Sequence, residues 1–133
     1  MSTGMEGYGV VDQTVAETGG VKARRLVKLD GNGDVVYCTA KGDDVYGVTV
    51  DDADNGNPVA IQTIGAVDLA VDGSGGNLAA GDQLSPGGAN GKAIIHDGAS
   101  GTKFAGEALK IQDGTADGEV SRSRLYADRT QAS

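Results

Sequence analysis

Tryptophan is missing from this 133-residue chain, and phenylalanine, cysteine and histidine each occur once. With only Phe104 and four tyrosines (Tyr8, Tyr37, Tyr46, Tyr126) to supply rings, an aromatic core is excluded, and Val, Ile, Leu and Ala layers must form it. The lone Cys38 rules out an intramolecular disulfide, and with it a stapled secreted mini-domain. Cys38 and His96 together fall short of the ligand set that zinc requires, so no metal centre is expected. Positive charge is also scarce. Eleven Lys and Arg stand against nineteen Asp and Glu, a net charge of -8. That balance argues against non-specific binding to nucleic acid or to an anionic membrane. No apolar run approaches the ~20 residues of a membrane span. The segment Met1 to Gly7 has neither a basic region nor an apolar one of the kind a signal peptide needs, so synthesis and retention in the cytoplasm are expected.

Glycine is abundant, at 23 residues, and because it does not recur at every third position a collagen helix is excluded. The aliphatic runs between glycines are too regular for a disordered chain. They alternate at period two from about residue 24 onward, as strands with one buried face do. Val67, Leu69 and Val71 fall on one face, with Asp68, Ala70 and Asp72 on the other. Tyr46, Val48 and Val50 lead into the acidic turn Asp51 to Asn57, and Val59, Ile61 and Thr63 leave it, which predicts a hairpin with a long loop. Further strands are expected over 24–29, 34–39, 83–85, 92–96, 104–112 and 119–126. The segments 20–29 and 105–112 also contain good helix formers and are assigned to strand with a short helix as the alternative. Turn chemistry separates the runs at 30–33, 72–77, 86–88 and 97–98.

The two halves resemble one another. A Gly-rich turn, Val35-Val36-Tyr37, Tyr46-Gly47-Val48, an acidic turn and Val59-Ala60-Ile61 make up the first series. In the second, residues 86–91 precede Ala93-Ile94-Ile95, Ala105-Gly106-Glu107, the turn 113–118 and Val120-Ser121-Arg122. Two β units packed into one sandwich or barrel would produce this pattern. The expected fold is therefore all-β, a compact sandwich or barrel of short strands with little helix and a flexible N-terminal arm. Its expected divisions are an arm over 1–20, a β domain over 21–127 and a polar tail over 128–133.

No motif carries catalysis. Asp30-Gly31-Asn32-Gly33-Asp34 imitates the opening of a calcium loop, but Val35 stands where that loop needs Gly and Lys41 where it needs a bidentate Glu, so a hairpin turn is the reading. Asp51-Asp52-Ala53-Asp54 reads as solvated loop acidity. Cys38 and His96 could formally pair as nucleophile and base, but both sit in apolar β runs where Cys is usually a small buried hydrophobe. The glycine clusters at 73–77 and 87–92 lack the Gly-Lys-Ser/Thr and helix of a phosphate loop. Lys92 and Lys103 lie beside turns without the flanking methionines of a biotin or lipoyl carrier. No catalytic residue and no cofactor are expected.

Tyr8 to Val15 is β-prone, and Gly4, Gly7, Gly19 and Gly20 set it apart. It reads either as a frayed terminus or as an arm that adds a strand to a partner's sheet, with Tyr8, Val10, Val11 and Val15 as the binding residues.

The order Tyr46-Gly47-Val48, an acidic Gly turn, Val59 to Val67, Ala80-Gly81-Asp82-Gln83-Leu84, Asn90-Gly91-Lys92 and Ala105 to Leu109 resembles the small capsid decoration, or cement, proteins of tailed viruses. The resemblance covers about residues 21–126, and its motifs are turns and core positions. Tyr46 and Glu107 replace the small residues usual beside those glycines. The resemblance implies a β domain, often trimeric, on the exterior of an icosahedral capsid in the virion, bridging neighbouring major capsid protein subunits and stabilising the shell. It also implies an N-terminal arm that orders against the capsid. Two other classes remain as alternatives: a β-sandwich binding module of a virion appendage or cell surface that recognises a glycan or protein, and a small hydrolase or transferase using Cys38 and His96 or an Asp pair.

Overall fold

The computed structural model describes residues 10–72, 79–96, 101–111 and 119–125. The first unit contains β1 (Val10–Thr14), β2 (Leu26–Leu29), β3 (Val35–Tyr37), β4 (Gly47–Thr49) and β5 (Pro58–Gln62). The second contains β6 (Gly65–Val71), β7 (Gln83–Ser85), β8 (Ile94–Ile95), β9 (Gly106–Ile111) and β10 (Glu119–Leu125). Every ladder is antiparallel. Among the described residues the only helical piece is a 3₁₀ turn at Ala89–Gly91. The chain is all-β. Neither segment with helix-forming composition is helical: Leu26–Leu29 and Gly106–Ile111 are strands, and Gly20 and Arg24 ahead of the first are left-handed, because cross-strand pairing and burial outweigh a propensity difference of less than about 1 kcal/mol per residue.

The likeness of the halves is structural. The first sheet runs β1-β5-β4-β2-β3 and the second β6-β10-β9-β7-β8, the same order displaced by five strands. In each sheet a parallel bridge joins the first strand to the third, Val15 to Val35 and Val71 to Ala93, which curls the sheet toward a barrel. Hydrogen bonds set the correspondence residue by residue. Cys38 N–H donates to Leu26 O in the first unit and His96 N–H to Gln83 O in the second. Tyr46 donates to Val27 O as Ala105 does to Leu84 O, and Arg24 to Thr49 O as Gly81 does to Ala108 O. Arg24 and Gly81 share the left-handed conformation, with φ of 62° and 92°. The single Cys and the single His thus occupy the same place in two copies of one motif.

Two clusters, aliphatic apart from Tyr37, hold the units. Val15, Val21, Val27, Val35, Tyr37, Val59 and Ile61 fill the first barrel. The larger cluster joins Leu26, Cys38, Val45 and Val48 of the first unit to Val67, Leu69, Val71, Leu84, Ala105 and Leu125 of the second. Adjacent residues on β2 therefore serve different cores: Val27 points into its own unit and Leu26 toward the other, as strand alternation requires.

The structure differs from the expected pattern at two positions. Ala70, expected on the wet face of β6, is buried, because its N–H donates to Arg24 O and the first unit covers it. Val50, expected to be buried with Val48, is exposed, and Thr49 is buried between them. The Thr49 hydroxyl donates to Lys22 O and accepts from Arg25 N–H, so the polar group is satisfied inside. The predicted β4–β5 hairpin is present. The Asp30 turn is a hairpin turn between β2 and β3, its carboxylate accepting from the N–H groups of Asn32 and Asp34. The turns expected at 73–77, 97–98 and 113–118, Tyr126 and the C-terminal tail lie outside the described residues.

Loop 38–45 is anchored by Asp43. Burial pushes its carboxyl up, but the N–H groups of Thr39 and Ala40 and the Lys28 ammonium at 3.0 Å outweigh that and hold it below the ordinary carboxylate value. A depressed carboxylate contributes stability that is present above its unfolded value and lost as pH falls through the folded one. Asp43→Asn is therefore expected to cost about 1–2 kcal/mol at neutral pH and to flatten the loss of stability below about pH 4. Urea titrations of both proteins at neutral and acid pH check this, and an undiminished acid slope in the variant counts against the assignment.

Candidate interaction surface

The four residues assigned to the arm separate in the structure. Tyr8 lies outside the described residues. Val10 and Val11 begin β1, which pairs along its whole length with β5 in the register Val10 to Gln62 through Thr14 to Pro58. Val15 is buried in the first barrel, and Val11 packs against the same cluster. Gly20, Val21 and Ala53 then tie the following segment down through Val21 N–H to Ala53 O and Ala53 N–H to Val21 O. The β5-facing hydrogen bonds of β1 and the side chains of Val11, Val15 and Val21 are thus spent inside the domain. Alternating Val11, Gln13 and Val15 could not report this from sequence, since an arm strand and a domain strand carry the same pattern.

Leu29, Val50, Ile64 and Leu109 are the exposed large hydrophobics among the described residues. The acidic loop after β4 exposes Asp51, Asp52 and Asp54, while Asp52 Oδ1 accepts from Ala23 N–H. A shallow pocket of about 230 Å³ marks the seam between the units, lined by Arg24, Val50 and Gln62 of the first and by Ala66, Asp68 and Arg122 of the second. An ion pair of 3.3 Å between Arg122 and Asp68 sits within it.

Among the described residues, the side chains weighed for catalysis are held apart. Cys38 is buried in the inter-unit core. His96 Nδ1 is bonded at 2.7 Å to the hydroxyl of the fully buried Ser85, and its ring lies 4.6 Å from that of Phe104. Among the described residues no cluster of three His, Cys, Asp or Glu side chains could hold a metal ion. Lys103 is paired with Asp44 at 3.1 Å. What the chain presents is a doubled β scaffold with strand edges, acidic loops and a seam.

Comparison with known proteins decides what kind of scaffold it is. The family model for phage cement proteins matches residues 5–124. This chain belongs to the phage cement protein family. Among solved structures, this cement protein is similar to the one described as the head fiber gp8.5 N base of bacteriophage phi29, with a TM-score of 0.59 and 22% identity, covering 93% of this chain and 98% of that one. At that identity the likeness speaks for the fold. No curated protein matches the cement protein. The family match begins before β1 and ends within β10, so both units belong to it. It is a virion structural family.

Proposed function

We propose that this protein is a non-enzymatic cement subunit that binds the exterior of an icosahedral capsid as a homotrimer and bridges major capsid protein subunits. The observation that carries the reading is the cement-family match over nearly the whole described domain. Physical reasons support it. A small domain gains little at one contact, but many copies across the seams of a shell add their interface energies, so multivalency supplies the strength. A net charge of -8 keeps it off packaged nucleic acid. Of the four arm residues, Val11 and Val15 are engaged by the protein's own core, so the arm contact is retained for the segment up to Val10, with Tyr8 as its anchor.

The test is co-sedimentation with undecorated capsids, comparing the full chain with a version lacking residues 1–9. Truncation stops there because deleting Val15 would open the first barrel. Saturable binding that the truncation weakens is expected. Binding indifferent to the truncation removes the arm from the proposal and keeps the rest, and no binding at any salt concentration overturns it.

A second reading is favoured by the structural likeness to a head-fibre base: the domain is then the foot of a virion appendage that recognises a glycan or protein. It predicts ligand binding through the acidic loops with a calcium requirement. The same sedimentation assay distinguishes the two, since the appendage reading as stated needs no affinity for bare shell.

A further inference from the structure

We propose that copies of this chain join head to tail, the second unit of one copy docking on the outer edge of β1 in the next. The argument starts from that edge. Val15 N–H donates to Asn57 O and Val15 O accepts from Gly56 N–H, both on the β5 side, whereas Ala16 N–H turns the other way to Val35 O. Ala60, opposite Asp12, accepts from Val50 N–H on its far side. Backbone groups of Val10, Asp12 and Thr14 therefore point away from β5, in the alternation of an antiparallel ladder. Among the described residues the N–H groups of these three meet no acceptor. A row of open donors on an edge strand is a template for another chain.

The equivalent edge of the second unit, Ala66, Asp68 and Ala70 on β6, shows what fills such a position. There the first unit caps it: Ala70 N–H donates to Arg24 O at 2.8 Å, and Gln62 Nε2 donates to Ala66 O at 2.9 Å. Val50 lines the same seam. Carried across a chain boundary, this docking needs the second unit's counterparts of Arg24, Gln62 and Val50, which are Gly81, Arg124 and Leu109. All three are exposed. Gly81 N–H is taken by Ala108 O, while its carbonyl has no donor among the described residues and corresponds to the Arg24 carbonyl that Ala70 uses. Thr14 N–H is the matching donor.

Charge points to the same occupant. Exposed Asp12 on the acceptor edge meets the Arg124 guanidinium, which on its own copy is held beside Glu107. A symmetric pairing of β1 with β1 would instead bring Asp12 against Asp12, and like charges across strands destabilise. A head-to-tail contact uses two different patches and closes into a ring when its rotation permits. This inference rests on the oligomer part of the proposed function and not on capsid binding, so the capsid assay fails or succeeds independently of it.

The test uses the full chain with Asp12→Cys and Leu109→Cys, singly and together, under mild oxidation. Cys38 is buried and does not compete. The double variant is expected to give a ladder of cross-linked multimers on a denaturing gel, and neither single variant to cross-link. Light scattering is expected to show a multiple of 13.3 kDa for the unmodified chain. Thr14→Pro, which removes an outward N–H and leaves the β5 ladder, is expected to shift the mass to the monomer. A monomeric unmodified chain, a double variant that does not cross-link, or an Asp12→Cys dimer each overturns the proposal.

Discussion

Gly106→Ala is expected to remove the cooperative thermal transition or lower it by ~10 °C or more, a loss of about 3 kcal/mol or beyond. Gly106 starts β9, where it faces β10 with no space for a side chain. A methyl group there would overlap the Arg124 carbonyl oxygen and stand 2.9 Å from the carbonyl carbon and 3.1 Å from Leu125 Cα. All three are backbone atoms, so relief requires β9 and β10 to separate, and β10 is the central partner of β6 and β9 in the second sheet. The first unit repeats the constraint: a methyl on Gly47 would lie 2.5 Å from Gln62 O and 2.6 Å from Ile61 Cγ2. Gly47→Ala should fail in the same direction. Gly31→Ala, at a site with nothing within 4 Å, is the control and should stay within about 0.5 kcal/mol of the parent. Differential scanning calorimetry of the three variants decides the matter, and a Gly106→Ala protein as stable as the control would refute the close approach.

Leu84→Ala should destabilise by about 3 kcal/mol, within the ~2–5 kcal/mol span of buried Leu truncations. Leu84 is fully buried on β7, in the cluster that includes Leu26 and Cys38 of the first unit and Leu69 and Leu125 of the second. Truncation leaves a cavity where the units meet, and the short strands around it, of three residues in β7 and two in β8, have little other packing to absorb the loss. Leu29→Ala, 41% exposed, should cost well under ~1 kcal/mol. Urea denaturation of both variants supplies the comparison. Equal midpoints would mean that the cluster does not span the two units. With no aromatic core to fall back on, the aliphatic layers carry the stability of this protein, and one lost isobutyl group in the shared cluster weakens both units together.

Much of the fold was legible residue by residue. Strand β7 falls where its Gln83-Leu84-Ser85 pattern places it, and the β4–β5 hairpin follows from the acidic Gly/Asn run between two alternating segments. These are local signals: period two marks a strand with two faces, and Gly, Asn and Asp mark where backbone can reverse. The internal likeness was legible too, since the glycines at 47 and 106 recur in matched settings for a steric reason that permits no other residue. Cement-family membership was legible too, through a resemblance carried by turns and core positions over residues that the family match covers. The interaction surface was less so. Val10, Val11 and Val15 were grouped with Tyr8 by their pattern alone, and that pattern is identical for a strand that leaves the domain and one that closes it.

Composition and alternation determined that this chain is all-β, aliphatic-cored, acidic and doubled, because burial on one face and turning at glycine are properties of neighbouring residues. Tertiary structure alone decided that β1 belongs to the first barrel, that Ala70 is covered by Arg24, and that the β6 edge is capped while the β1 edge has open donors. Which strand lies beside which depends on contacts between residues far apart in the chain, and a period-two pattern fixes the face a side chain takes without naming the neighbour its backbone will find.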